Sequence, residues 1–514
     1  MNRSPGRHTT SLLVFAVGIA MALAAAPLMG QSPPAWPTPV VTPPSMPTPD
    51  PVDVGPTPTP TPRPSAEPDP ENDSNRAASE QAVGPSAAAS DEFVAKKDQV
   101  TNPGDVAFTD YAPFNLDEIE PEPIKSKWGN FVAGLRGIGR YSLFDGKVKF
   151  RLGGSIMVDA TAGNGTEAFE EAYGPIDSGA GFRLGVLYAV GRIRNFNFSF
   201  GLDFGADLGV DSAWIEGAKG GLEVWGHYLG KLRIGFVGEP FSLERQASSY
   251  NISFLERSLP VQTIAPGYNI GALIHDSSRN GRVSWAAGIF SIGSNNEKNA
   301  SNSLLSLTGR FTYLPVYRDE GRKLIHVGFG VSSRSPTGSD IRYRARPEAR
   351  YVDFLVDTGS FSASHQTLLG LEAATVSGPL WATAEYIRSD TSAELVGNPT
   401  FQGGYVQVGW FISGETKPYR TNSGTFDRVL PHHKYEGGNP FKKRGGGAWE
   451  VAGRISYLDL DDGLIEGGEL ADFSASLNWY LNATVRVALN YVYAQPRDRG
   501  SANILILRVQ YNPW

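Results

Sequence analysis

From Ala448 to Trp514 the residues alternate between apolar and polar with almost no break. A period of two over segments this long commits the backbone to β-strands with two chemically opposite faces. Trp449, Val451, Ile455 and Tyr457 stand on odd positions, with Glu450, Arg454 and Ser456 between them. The odd register returns in Phe473, Ala475, Leu477, Trp479 and Leu481, in Val485, Val487, Leu489, Tyr491 and Tyr493, and in Leu505, Leu507, Val509 and Tyr511. Charge decides which medium each face meets. Arg454, Arg486 and Arg508 all lie on the even face, and an arginine near the midplane of a lipid-facing barrel wall costs roughly 2–4 kcal/mol. The even face therefore looks into a wet interior and the odd face into lipid. A soluble sandwich would instead bury its apolar face in a protein core. The last strand ends on Tyr511-Asn512-Pro513-Trp514, the aromatic finish of an outer-membrane barrel.

The same reading extends upstream. Strands are predicted at Lys147 to Ala160, Phe182 to Arg192, Asn195 to Gly205, Gly209 to Gly217, Gly230 to Gly238, Tyr268 to Asp276, Arg282 to Ile292 and Leu304 to Pro315. Further strands follow at Lys323 to Arg334, His365 to Gly378, Leu380 to Asp390 and Phe401 to Gly414. With the four C-terminal strands they make sixteen, provided that Arg350 to Asp357 belongs to a loop. The fold class is thus all-β, a transmembrane antiparallel β-barrel. An even number puts both barrel ends on the periplasmic side. Asn482 and Gly378-Pro379 then mark tight periplasmic turns, and Glu239 to Gly267 and Ser335 to Ser364 are long extracellular loops. Glu415 to Gly447 becomes a long periplasmic connection, where short turns are the rule. Trp128 to Phe144 reads as a lead-in against the periplasmic rim.

Residues 1–30 read as a secretory signal, with Arg3, Arg7 and His8 before an apolar run from Leu12 to Ala26. Residues 31–125 are Pro/Thr-rich and then Ala/Ser-rich, a disordered periplasmic tether or spacer open to contact with the cell wall. Residues 126–514 form the barrel domain. The chain has no cysteine, which removes disulfides, thiolate metal sites and lipid attachment at an N-terminal cysteine. A net charge of -7 argues against nucleic acid as a partner. His227, His275, His326, His365, His432 and His433 are scattered and form no HExxH, nor is there a GxSxG or phosphate-loop pattern. The His432-His433 pair has no further ligands in sequence and reads as solvated. Neither an enzyme nor a cofactor is implied.

Inside the barrel, the alternation places Lys149, Arg151, Arg183, Lys231, Arg233, Arg282, Arg310, Arg454, Arg486 and Arg508. The inward acids are fewer: Asp159, Asp203, Glu372, Glu385, Glu450 and Asp472. A wet lumen richer in bases than acids suits anions.

Gly447-Ala448-Trp449-Glu450-Val451-Ala452-Gly453-Arg454-Ile455-Ser456, Leu458-Asp459-Leu460, Gly467-Gly468 and Leu477-Asn478-Trp479-Tyr480 resemble the C-terminal signature of the phosphate-selective porin O and P family. Gly238-Glu239-Pro240-Phe241-Ser242-Leu243-Glu244 and Phe254-Leu255-Glu256-Arg257-Ser258 are a second match. The resemblance implies a trimeric, 16-stranded outer-membrane porin whose long loops and periplasmic segment fold into the lumen. It brings toward the anion path Arg245 and Arg257, then Arg342, Arg344, Arg346 and Arg350, and Lys442, Lys443 and Arg444. Glu244 and Glu256 each precede one of the first loop's arginines and are placed to pair there and cancel its field. The family often has a helical region before its barrel, and no heptads occur here. The function expected is passive uptake of small anions, phosphate or polyphosphate among them, through a homotrimer in outer-membrane lipid. The alternatives are a general diffusion porin without phosphate selectivity, a barrel-borne hydrolase and a cell-envelope anchor.

Limited proteolysis of the detergent-solubilised protein is expected to trim it to a core beginning between residues 125 and 147, read by mass spectrometry. A protease-resistant N-terminal fragment would contradict the tether.

Overall fold

The structure, a computed structural model, describes residues 139–144, 146–205, 209–217, 222–224, 227–291, 305–336, 340–442 and 444–513. The expected signal and tether, Lys443 and Trp514 lie outside the described residues.

Sixteen antiparallel strands close into a barrel. They are β1 Val148–Gly165, β2 Gly179–Ile193, β3 Phe196–Asp203, β4 Gly209–Gly217, β5 His227–Gly238 and β6 Tyr268–Ser277. Then come β7 Val283–Ser291, β8 Leu305–Arg318, β9 Lys323–Ser335, β10 His365–Ser377, β11 Leu380–Ser392 and β12 Thr400–Phe411. The last four are β13 Ala448–Asp462, β14 Ile465–Tyr480, β15 Val485–Pro496 and β16 Ala502–Tyr511. Each expected strand is present, and each pairs with its sequence neighbour. Closure is made by β16 on β1, in a register that sets Arg508 opposite Asp159 and Tyr511 opposite Ile156. Because β1 begins eight residues below that last pair, its periplasmic edge would be bare. A lead-in strand, Gly139–Leu143, covers it by pairing with Val148 to Leu152.

The turns follow their chemistry. Asn482 Oδ1 accepts the backbone N–H groups of Thr484 and Val485 at 2.8 and 2.9 Å and so closes the β14–β15 turn. Gly378, at φ 60°, turns β10 into β11.

Alternation holds around the wall. Ile455 is 54% exposed on the outside while its neighbour Arg454 is 1% exposed on the inside. Trp410, Trp449, Trp479 and Tyr511 ring the outside at the periplasmic ends of their strands, an interfacial aromatic belt. No helix among the described residues is long and apolar enough to cross a membrane; the crossing is made by strands.

The inner face departs from a uniformly wet wall. Val492, Ala494, Ile504 and Ile506 point inward and are buried together with Leu259, Val261, Tyr343, Val352 and Leu355 of the two long loops. A short helix, α1 Glu167–Tyr173, adds Phe169 to this cluster from the β1–β2 loop. The extracellular half of the barrel therefore has a hydrophobic core inside the lumen, and β16 is apolar on both faces where it lines that core. Arg350 to Asp357 belongs to the second loop, as the strand count requires, and Val356–Asp357 only bridges to Arg344–Ala345 within it.

Ile455→Arg would place a cation on the lipid face at mid-strand. It is expected to cost about 2–4 kcal/mol, seen as a lower urea midpoint for the protein folded in lipid vesicles.

Candidate functional site: the charged lumen

The first long loop, residues 239–267, enters the lumen and is held there residue by residue. Glu239 accepts hydrogen bonds from Asn269, Ser306 and Thr308 and pairs with Arg334 at 2.9 Å. Phe241 lies flat on the wall because Gly330 and Gly370 lack side chains; a Cβ on either would stand 3.0 or 2.9 Å from its ring. A single turn, Leu243–Gln246, starts at Ser242, whose Oγ accepts Arg245 N–H. Glu385 of β11 accepts the next two free donors, Leu243 N and Glu244 N, both at 2.8 Å. The polar inner wall thus supplies the caps that the short turn lacks.

Glu244 and Glu256 both bond arginines of the wall. Glu244 reaches across to Arg454 at 2.9 Å and accepts Ser258 N and Oγ at 2.8 Å. Glu256 receives Arg183 Nε and Nη2 at 2.6 and 3.0 Å and Arg508 Nη2 at 3.1 Å. Burial pushes the Glu256 carboxyl up, but Arg183 and then Arg508 outweigh it and hold its pKa down at about 2. It is ionised at neutral pH. A bulge opposite Met157 and Val158 frees Arg183 from the alternation and turns it inward. Arg508 also forks onto Asp159 at 2.6 and 2.7 Å, so one loop carboxylate spans the closure seam of β16, β1 and β2.

The second long loop is anchored through Glu348. Its carboxylate accepts Arg454 Nε at 2.8 Å and Ser474 Oγ at 2.6 Å, and its N–H donates to Asp472 at 2.7 Å. Arg454 therefore holds both loops, donates a third bond to Glu256 O at 2.8 Å and covers the Phe254 ring at 4.1 Å. Glu450 gathers Ser253, Trp381, Asn478 and Tyr480 within 3.0 Å.

Four further wall arginines are engaged as well. Arg233 pairs with Glu216 and lies over Trp214, and Arg310 forks onto Glu372 at 2.8 and 2.7 Å. Arg486 bonds Asn478 and the carbonyls of Ile252 and Ser253, and Arg151 donates to Pro513 O. In the first loop, Arg245 donates to Pro266 O and Arg257 to Ala247 O.

The second loop is different. Arg342 is exposed and paired with Asp357. Arg344 and Arg346 both lie over the Phe354 ring, 4.1 and 4.3 Å from its centre. Arg346 also donates to Arg350 O, and Arg350 to Arg183 O. Burial, and then the Arg183 guanidinium, lower the Arg350 pKa from its ordinary value.

The periplasmic connection does not behave as one piece. Its first part enters the lumen: Arg310 donates to Ser423 O and Gly424 O, Tyr419 hydroxyl meets His326, and buried Lys417 sits over Trp381, 3.6 Å from Glu450. Its second part, which carries Lys442 and Arg444, is held against Trp449 and Trp479 on the outside. Lys442 and Arg444 thus stand on the outer side and not in the lumen where they were expected, while Lys443 lies outside the described residues. Two outward tryptophans offer that part more apolar contact than a polar lumen can.

Sequence reasoning missed Lys417, Arg334 and Arg428, which lies beside Tyr250 and Arg486 at the periplasmic end. Arg334 was legible, since it continues the inward register of β9; the others depend on where a loop folds. His432 Nδ1 lies 3.6 Å from Glu415, but His432 and His433 belong to no three-ligand cluster among the described residues. Asp459, Asp461 and Glu469 cluster at the extracellular rim, but Glu469 is already paired with Arg497.

A closed barrel with an apolar outer face and a cation-rich lumen that long loops enter defines a porin, a channel. The chain belongs to the phosphate-selective porin O and P family, whose family model matches residues 150–512. It is an outer-membrane anion channel. Among curated proteins it is 22% identical to Porin O of Pseudomonas aeruginosa over 388 residues, 68% of this chain and 84% of that protein. It is 33% identical to an uncharacterized protein of Caulobacter vibrioides over 194 residues, 37% of each chain. Among solved structures, the anion-selective porin from Comamonas acidovorans is 10% identical, with a TM-score of 0.43 over 71% of this chain and 99% of that one.

Arg454→Ala would strand the Glu244 and Glu348 carboxylates in the core. Breaking a buried pair this way costs about 3–5 kcal/mol, and the expected readout is a lower thermal midpoint with loss of loop protection in hydrogen exchange. An unchanged midpoint would refute the anchoring role.

Proposed function

We propose that the channel favours multiply charged oxyanions, phosphate or polyphosphate foremost, and that cations of the in-folded loops do the selecting. The observation that carries this reading is a contrast in partners. Arg183, Arg233, Arg310, Arg454 and Arg508 each hold a carboxylate, which offsets their charge. Arg346 and Arg350 have no carboxylate within ion-pair distance among the described residues and lean on backbone carbonyls and the Phe354 ring. Their guanidinium forks match two oxygens of a phosphate, and a narrowed, partly dehydrated passage weakens the screening that bulk salt would impose. Arg245, Arg257 and Arg344 belong to the same path, with Arg151, Arg486 and the paired wall arginines as a background field.

In this reading the protein works as a homotrimer in outer-membrane lipid. Residues 1–30 direct export across the inner membrane, and 31–125 form a periplasmic tether whose Pro/Thr composition supports a spacer role.

A unit charge acting at about 12 Å through a water-filled passage of dielectric near 80 is worth about 0.35 kcal/mol, and removing two charges that attract anions and repel cations alike changes the difference between the two ions by about 1.4 kcal/mol. Arg346→Gln/Arg350→Gln is therefore expected to lower the anion-over-cation permeability ratio roughly tenfold. Reversal potentials across a salt gradient in planar bilayers read this, with phosphate block of the chloride current as the second measurement. Unchanged selectivity would make the protein a general diffusion porin governed by its wall.

A further inference from the structure

In the outer part of the periplasmic connection, residues 434–442 and 444–447 are fixed to the bilayer side of the wall. Trp449 and Trp479 occupy outward positions of β13 and β14 and face each other across the pair, stacked at 5.2 Å. Phe441 stacks on Trp449 at 4.8 Å and Tyr435 meets Trp479 edge-on at 4.9 Å, so four rings form one continuous array. Both indole N–H groups donate to this segment, Trp449 Nε1 to Pro440 O at 3.0 Å and Trp479 Nε1 to Gly446 O at 2.9 Å. Trp410, on neighbouring β12, continues the belt.

The chemistry of the segment's free side is uneven. Lys434, Lys442 and Arg444 are exposed and make no ion pair among the described residues, and Glu436 is the segment's one acid. Phe441 is 73% exposed despite its stack. An aromatic body at the depth of the interfacial belt, flanked by long cationic side chains, matches the junction between lipid tails and headgroup phosphates. Nothing here serves the lumen, from which the wall of β13 and β14 separates it.

We propose that Lys434 to Gly447 binds the headgroup of an anionic phospholipid in the periplasmic leaflet, with Lys434, Lys442 and Arg444 meeting the phosphate and Phe441 resting among the acyl chains. The charge of the segment, with Lys434, Lys442 and Arg444 against the single acid Glu436, favours a negatively charged occupant.

The test uses the full-length protein in detergent, equilibrated with equal amounts of phosphatidylglycerol and phosphatidylcholine and examined by native mass spectrometry. The wild type is expected to retain phosphatidylglycerol preferentially. Lys442→Gln/Arg444→Gln is expected to lower that preference about twenty-five-fold, at roughly fivefold per cation. Phe441→Ser is expected to weaken retention of both lipids. Assembly mass, heat-modifiable migration and single-channel conductance stay unchanged in both variants, which reports intact folding. Equal retention of the two lipids by the wild type would overturn the proposal, as would a preference that survives the charge substitutions. A fall in assembly mass in the charge variant would overturn it in favour of an interface between copies.

Discussion

Arg454 is the group on which the interior depends. A guanidinium at 1% exposure is tolerable only if its donors are all used, and here they are divided between Glu244 of one loop, Glu348 of another and the carbonyl of Glu256. Two extracellular loops that would otherwise wave over the mouth are thereby drawn down into the barrel. Once inside, they bury Val492, Ile504 and Ile506 of the wall, and the apolar contact strengthens what the ion pairs position.

The same arrangement sorts the charges of the lumen. Acids on the inner wall are used as acceptors for incoming backbone and side chains: Glu385 caps the first loop's turn, Asp472 receives Glu348 N–H and Glu450 collects four donors. Carboxylates that would repel a passing anion are thus covered, while Arg346 and Arg350 arrive with the second loop. An anion channel can therefore be built in a chain whose net charge is -7, because net charge says nothing about which groups remain exposed along the passage.

The long periplasmic connection shows how one segment can serve both sides of a wall. Its early residues find hydrogen-bond partners in the lumen, where Arg310 takes the carbonyls of Ser423 and Gly424. Its later residues find rings, and the interfacial tryptophans of β13 and β14 keep them outside.

Alternation alone determined the strands, the barrel and the side on which Arg454, Arg486 and Arg508 lie, because side-chain direction in a strand is local and charge cannot face lipid. The motif around Glu239 and Glu256 was also legible, although the sequence could not say that each of its residues is an anchor. Partners were decided only by tertiary structure. Glu244 sits beside Arg245 in sequence yet bonds Arg454, and Glu256 beside Arg257 bonds Arg183 and Arg508. The run Lys442-Lys443-Arg444 looked like part of the passage for the same reason, that its sequence records charge but not position. Where a loop folds depends on which distant surfaces leave donors, acceptors and apolar area uncovered, and these surfaces exist only after the barrel has closed.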